Sequence, residues 1–256
     1  MNTTDHQHRI ILWAYPRSMS TVTELSIAAL GNLEIFHEPY VSAYYNGKLP
    51  LDLFKKYTYA DVKDMLEKPY PGKDAIFAKD LAYTVDGDYS RLPREYQHTF
   101  LIRDPRQSIP SFHKAAIESG STFTDKWLPF SGGVKQLYDL FVYVTEILGQ
   151  EATIIDAYDL CNNPRQILQE YCKRVGLHFH EKMLKWEPGN NGHWQKFGKQ
   201  SVITDGLARQ ALRSTEFLPI SNTSVDMENI PDYAVEQIKL AVPYYKLLHD
   251  KRIRPT

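Results

Sequence analysis

Unbroken apolar runs alternate along this chain with stretches whose apolar residues recur every three or four positions. That is the pattern of strand–helix–strand units built around a mostly parallel sheet. The first run, Ile10-Ile11-Leu12-Trp13-Ala14-Tyr15, carries no alternating polar residue, as expected of a strand covered on both faces, and Pro16 ends it. Further strands are predicted at Leu33–His37, at Ala75–Ala78 leading into Lys79-Asp80, at His98–Ile102 and at Ala152–Ile155. Helical spacing marks Ser20–Leu30 (stopped by Gly31), Tyr59–Glu67, Arg106–Glu118, Val134–Leu148 and Asp232–His249. Another helix opens at Asn163-Pro164 with a cap and a first-turn proline, and closes at Gly176. Tyr40–Gly72 is less regular and is the best candidate for a substrate-side excursion, while Trp186–Gly206 reads as loop. The expected fold is α/β, with a mostly parallel central sheet of about five strands flanked by helices. No stretch reads as a linker, so a single domain over residues 1–256 is expected.

Composition narrows the function classes. Lys plus Arg number 30 and Asp plus Glu 31, a formal net charge of −1, which argues against general nucleic-acid binding but leaves room for a local basic pocket. No apolar run reaches the ~18 residues of a membrane span, and the polar start Met1–Arg9 lacks the apolar core of a signal peptide. Cys161 and Cys172 fit no CxxC spacing and are expected as buried or half-buried thiols. A cytoplasmic setting is the expectation that follows. The pairs His6/His8 and His178/His180 lack a supporting Cys or carboxylate pattern, so no metal is expected.

Two segments could hold anions. After the first strand come Pro16, Arg17, Ser18, Met19, Ser20 and Thr21, where a tight turn feeds a helix N-terminus. Backbone N–H groups and the helix dipole favour negative charge there, Arg17 adds a full charge and the hydroxyls add donors. The pattern GxxxxGK[ST] is absent, so this is not an ATPase-type loop as written. After the fourth predicted strand come Arg103-Asp104-Pro105-Arg106 and, two helical turns on, Ser111, which can reach the same anion as Arg103. Taken singly, each segment also reads as an ordinary capped helix start or a solvated arginine pair.

Taken as an ordered pair, strand–Pro-Arg-Ser-x-Ser-Thr–helix and strand–Arg-Asp-Pro-Arg-x-x-x-x-Ser, the segments resemble the sulfotransferase family. His37-Glu38-Pro39 resembles the Glu-Pro element of its carbohydrate-type and trehalose-type bacterial members, and Tyr158-Asp159-Leu160, Pro164, Leu168 and Val175-Gly176-Leu177 resemble a later family stretch. The likeness spans about Ile10 to Gly206 and implies a P-loop-like sulfotransferase architecture. It implies that Arg17, Ser18, Met19, Ser20 and Thr21 grip the 5′-phosphosulfate of PAPS (3′-phosphoadenosine 5′-phosphosulfate), and that Arg103 and Ser111 grip its 3′-phosphate. Lys79 matches a lysine that touches the transferring sulfuryl group in many members. In Gly192–Lys199, the resemblance implies Lys196 and Lys199 as cations closing over the nucleotide and Trp194 as a stacking partner for adenine. Met19 stands where the family commonly has Gly, and Val22 where it has an aromatic. A Cβ at Met19 disfavours positive φ and predicts a shifted or weaker donor pose.

Sulfuryl transfer needs a proton acceptor beside the acceptor hydroxyl or amine. Glu38 is the first choice, at a strand end and in the Glu-Pro element, with capping or pairing to a nearby arginine as its structural alternative. His37 is second, because a neighbouring strand residue should face away from Glu38. His113 reads as a packing histidine, and Leu81 occupies the position where many members keep a histidine. The expected activity is sulfuryl transfer from PAPS, without a metal, to a small-molecule acceptor, with a homodimer left open. The alternatives are an ATP-using P-loop phosphotransferase and a non-catalytic nucleotide-binding relative.

Overall fold

The computed structural model describes residues 7–46, 57–118, 131–189, 208–221 and 230–256. Its strands are β1 (His8–Ala14), β2 (Leu33–His37), β3 (Ala75–Leu81), β4 (Gln97–Ile102) and β5 (Thr153–Asp156). Among the described residues they form one sheet in the order β2-β3-β1-β4-β5, every neighbouring pair parallel. The five apolar runs are all strands, and β1, predicted to be covered on both faces, is the central one. Ile11 and Trp13 belong to one core layer and Ile10, Leu12 and Ala14 to the other.

The helices are α1 (Ser20–Ala28), α2 (Pro39–Tyr45), α3 (Tyr59–Glu67), α4 (Pro105–Glu118), α5 (Val134–Val142), α6 (Ala157–Asn162), α7 (Pro164–Val175) and α8 (Asp232–His249). Val22, Leu25 and Ile27 of α1, Leu160 of α6 and Ile167, Leu168 and Tyr171 of α7 cover one face. Tyr40 of α2, Val62 and Leu66 of α3, Leu137 and Leu140 of α5 and Ile238 and Ala241 of α8 cover the other. The chain leaves β1 through α1 on the first face and leaves β4 through α4 and α5 toward the second. The carboxyl ends of adjacent β1 and β4 therefore flank a crevice where connections diverge, the place open parallel sheets reserve for ligands. No helix of the described residues is long and apolar enough to cross a membrane.

Three elements differ from expectation. The irregular stretch after Glu38 contains α2, whose cap comes from β3: the Tyr40 N–H donates to Asp80 Oδ2 at 2.5 Å. Tyr40 is fully buried, so this part of the supposed excursion is core. Helix α5 stops at Val142, and Tyr143–Ile147 forms a wider turn in which the Leu148 N–H reaches the Tyr143 carbonyl at 3.1 Å. There the Thr145 hydroxyl donates to the Phe141 carbonyl at 3.0 Å, competing with the helical ladder. Helix α6 is separate from α7 and is started by Asp156, whose carboxylate accepts from the Tyr158 N–H at 2.9 Å.

Candidate functional site

The turn after β1 reverses direction through two left-handed residues, Arg17 (φ 66°) and Met19 (φ 73°). Met19 is the N-cap of α1 and supplies no side-chain cap, so the first N–H groups of the helix are not capped by that side chain. Ser18 lies fully buried beneath the turn, and its hydroxyl has no hydrogen-bond partner among the described residues. A turn of mixed handedness at a helix start, with a buried hydroxyl, offers the donors that an anion needs.

The corner after β4 meets this turn directly. Arg17 Nε donates to Ser111 Oγ at 3.1 Å, and Arg103 Nη1 donates to the Arg17 carbonyl at 2.9 Å. The Arg103 N–H donates to the Tyr15 hydroxyl at 2.6 Å, and that hydroxyl donates to the Arg103 carbonyl, tying β1 to the corner. Burial, and then the charge of Arg103, lowers the pKa of Arg17; burial lowers that of Arg103. The Nε of Arg103 and the hydroxyl of Ser108, one turn before Ser111, are further buried donors without a hydrogen-bond partner among the described residues. Both cations are thus half-desolvated and side by side, which favours a multiply charged anion over water. Ser20 and Thr21 lie in the first turn of α1, Ser20 buried and Thr21 half-buried. Trp194, Lys196 and Lys199 lie outside the described residues.

A second cluster lies at the ends of β2 and β3. Lys79 Nζ donates to Glu38 Oε1 at 2.7 Å and lies 3.6 Å from Glu24 Oε2 of α1. His37 Nδ1 sits 2.7 Å from Glu24 Oε2, and its Nε2 lies 3.8 Å from Glu38 Oε2. Glu24 and Lys79 are fully buried, whereas Glu38 keeps 13% of its side chain exposed and is the member a ligand can reach. The expectation that His37 faces away from Glu38 is corrected. His37 pairs with Lys79 across the sheet, but Glu38 has already left the strand at φ 49°, so strand alternation no longer separates them. Burial works against ionised Glu38, but the adjacent Lys79 and His37 outweigh it and hold its pKa below the usual value. Burial likewise opposes charge on Lys79, and Glu38 and Glu24 outweigh it and raise its pKa. Asp80 points to the opposite face, where burial and then the charge of Glu38 push its carboxyl up to about 8.

Tyr83 links the two halves. Its hydroxyl lies 3.1 Å from that of Tyr45, and burial followed by Tyr45 raises its pKa, with Glu38 adding to the shift. Its ring edge packs beside Gly133, which also abuts Tyr15 and Pro16 of the anion turn. Sequence reasoning missed Glu24 and Tyr83. The one signal for Glu24 was a carboxylate in a helix whose residues from Val22 to Ile27 are all buried. His113 packs edge-on against Tyr233, its Nδ1 3.0 Å from that hydroxyl, as a packing histidine should. Among the described residues no group of three or more His, Cys, Asp or Glu side chains could hold a metal, and Cys161 and Cys172 are buried free thiols.

No family model matches the chain. In sequence it is 29% identical over 193 residues to branched-chain-amino-acid aminotransferase-like protein 2 of Arabidopsis thaliana, covering 71% of this chain and 33% of that protein. It is 24% identical over 236 residues to the aminotransferase-like protein 1 of the same plant, covering 87% of this chain and 40% of that one. The chain therefore spans between a third and two fifths of the length of these curated relatives. Among solved structures, the sulfotransferase domain from the curacin biosynthetic pathway superposes with a TM-score of 0.56 at 14% identity, covering 97% of this chain and 99% of that domain. The sulfotransferase domain from the Synechococcus PCC 7002 olefin synthase gives a TM-score of 0.47 at 16% identity over 95% of this chain and 97% of that domain.

Proposed function

We propose that this chain, which has the sulfotransferase fold, moves a sulfuryl group from PAPS to a hydroxyl or amine of a small acceptor. The observation that carries the proposal is the joining of the two anion corners, Arg17 to Ser111 and Arg103 to the Arg17 carbonyl. Two unrelated surface arginines would not be tied in this way, one to a hydroxyl of the helix that follows the other and the other to the first one's carbonyl. The aminotransferase-like names belong to proteins more than twice as long, of which this chain matches one part.

In this reading Arg17, the buried Ser18 hydroxyl, the Met19–Thr21 backbone and the Ser20 and Thr21 hydroxyls hold the 5′-phosphosulfate. Arg103 and Ser111 hold the 3′-phosphate, and the resemblance adds Trp194, Lys196 and Lys199 on the nucleotide. PAPS, when bound, supplies the sulfuryl group and leaves as 3′,5′-ADP. Glu38, ionised and partly exposed, takes the proton of the acceptor as its oxygen or nitrogen bonds to sulfur and the bond from sulfur to the 5′-phosphate oxygen breaks. Lys79 holds Glu38 in place and keeps positive charge beside the transferring group. Positioning and fixed charge supply most of the rate in such transfers, and a base adds about 10²–10⁴-fold.

Calorimetric titration with 3′,5′-ADP tests the proposal. The expected result is micromolar affinity, weakened at least about tenfold by Arg17→Ala and by Arg103→Ala, since a hydrogen bond to a charged group contributes about 1.5–3 kcal/mol. Absence of binding at millimolar nucleotide overturns it. Glu38→Gln separates catalysis from mere binding, with transfer lost and nucleotide affinity kept.

A further inference from the structure

Glu24 is a fully buried carboxylate that the mechanism above leaves without a task. It sits behind the base in a closed ring: Glu24 Oε2 to His37 Nδ1 at 2.7 Å, His37 Nε2 to Glu38 Oε2 at 3.8 Å, Glu38 Oε1 to Lys79 Nζ at 2.7 Å, and Lys79 Nζ back to Glu24 Oε2 at 3.6 Å. A carboxylate can only accept, so the imidazole carries its proton on Nδ1 and turns the Nε2 lone pair toward Glu38. With a neutral imidazole the ring holds two carboxylates and one ammonium, an excess of one negative charge in a buried site. Protonation of His37 removes that excess. We propose that His37, oriented by Glu24, receives from Glu38 the proton that the acceptor gives up, making Glu24 a positioning residue for the proton's onward path.

The proposal rests on the sulfuryl-transfer reading. The steps balance: the acceptor proton moves to Glu38 Oε2, and neutral Glu38 loosens its hold on Lys79. Its O–H then turns through the 3.8 Å gap and gives the proton to Nε2. Glu38 returns to a carboxylate, and the imidazolium keeps its Nδ1–H on Glu24. A carboxylate held below its ordinary range by Lys79 binds a proton weakly, which suits it to hand the proton on. Among the described residues, Glu24 of α1, Glu38 at the start of α2, Lys79 of β3 and the Tyr45 and Tyr83 hydroxyls face this path, and Asp80 of β3, on the opposite face, feels the charge of Glu38.

The test uses the full chain and three readouts. Nitrogen-15 spectra of histidine-labelled protein saturated with 3′,5′-ADP should show His37 protonated at Nδ1 near pH 7.5, and a proton on Nε2 alone overturns the inference without reference to turnover. Turnover is read as 3′,5′-ADP released from PAPS with water as the acceptor. Glu24→Gln should lower kcat about 10–100-fold and leave KM for PAPS within about twofold, because the imidazole loses the carboxylate that orients it. Glu24→Asp should recover most of the rate. An unchanged kcat in Glu24→Gln, with wild-type affinity for 3′,5′-ADP, overturns the proton path and leaves the sulfuryl-transfer reading standing. Failure of the wild-type chain to bind 3′,5′-ADP removes that parent reading instead.

Discussion

Backbone strain at single residues marks the site. Arg17, Met19 and Glu38, three of the five non-glycine residues with left-handed φ among the described residues, each bear about 1–2 kcal/mol of strain, and all three belong to the turn after β1 or to the Glu24–His37–Glu38–Lys79 cluster. Neighbouring strands hold two of them there: Arg103 grips the Arg17 carbonyl, and the Glu38 N–H donates to the Lys79 carbonyl at 2.7 Å. Met19 was the residue from which sequence argued against a glycine-like turn, and the chain adopts that turn regardless. Its half-buried side chain packs on the α1 core layer, so tertiary contacts override local preference. Gly133, at φ 90°, packs between Tyr83 and the turn that follows β1. A Cβ there would lie 3.2 Å from Tyr15 Cβ and 3.4 Å from Tyr83 Cδ1. Gly133→Ala should therefore destabilise the fold by about 1–3 kcal/mol, seen as a lower urea midpoint with unchanged slope. A midpoint at or above wild type would mean that the packing of Tyr15 and Tyr83 around Gly133 is slack.

At the scale of elements, strands were legible, as were Pro164 at the start of α7 and Gly176 at its end, but the expected cap from the Asn163 side chain does not form and the caps of α2 and α6 were not foreseen. Each strand is buried on both faces over most of its length, so its sequence carries an apolar run that needs no partner to be recognised. Helices α2 and α6 were missed because each is short and its start is set by a carboxylate outside the helix, Asp80 from β3 and Asp156 from the end of β5. The acid–base ring was hidden for a similar reason: Glu24, Glu38 and Lys79 come from three elements, and only the pairing of His37 with Lys79 brings them together. The meeting of the two arginine corners was legible because each corner is continuous in sequence. The pairing of β1 with β4 carries a pH dependence. Trp13 Nε1–H donates to His98 Nδ1 at 2.8 Å, which requires that nitrogen to be unprotonated. Burial depresses His98 from 6.5 to about 4. A depressed pKa means that the unfolded chain binds the proton first. The stabilisation is therefore complete above pH 6.5 and is lost as pH falls toward 4, on the order of 3 kcal/mol in all. Urea unfolding between pH 7 and 4 should show that slope, and His98→Phe should flatten it whatever its effect on stability at pH 7. An equally steep slope in His98→Phe would assign it to other groups.

Over the whole molecule the charges nearly cancel, at −1, while two arginines stand together at the carboxyl ends of β1 and β4. Net charge therefore says little about the ligand, and the placement of cations at the point where the sheet's connections diverge says more. Because that crevice is shared by the two central strands, a ligand bridging it should stabilise the entire fold. At a concentration of about 100 times its Kd, 3′,5′-ADP should add about 2.7 kcal/mol, which for a chain of this size is a rise in melting temperature of roughly 5–10 °C. The rise should shrink in Arg17→Ala and in Arg103→Ala, and should fall with added salt because charge contacts dominate it. ATP with magnesium and 5′-ADP should give markedly smaller shifts, since neither presents a 3′-phosphate to Arg103 and Ser111. A chelator should not alter the effect of 3′,5′-ADP. A shift from magnesium–ATP equal to or above that from 3′,5′-ADP would instead make the crevice a nucleoside triphosphate site, and phosphoryl transfer would then replace sulfuryl transfer as the chemistry to measure.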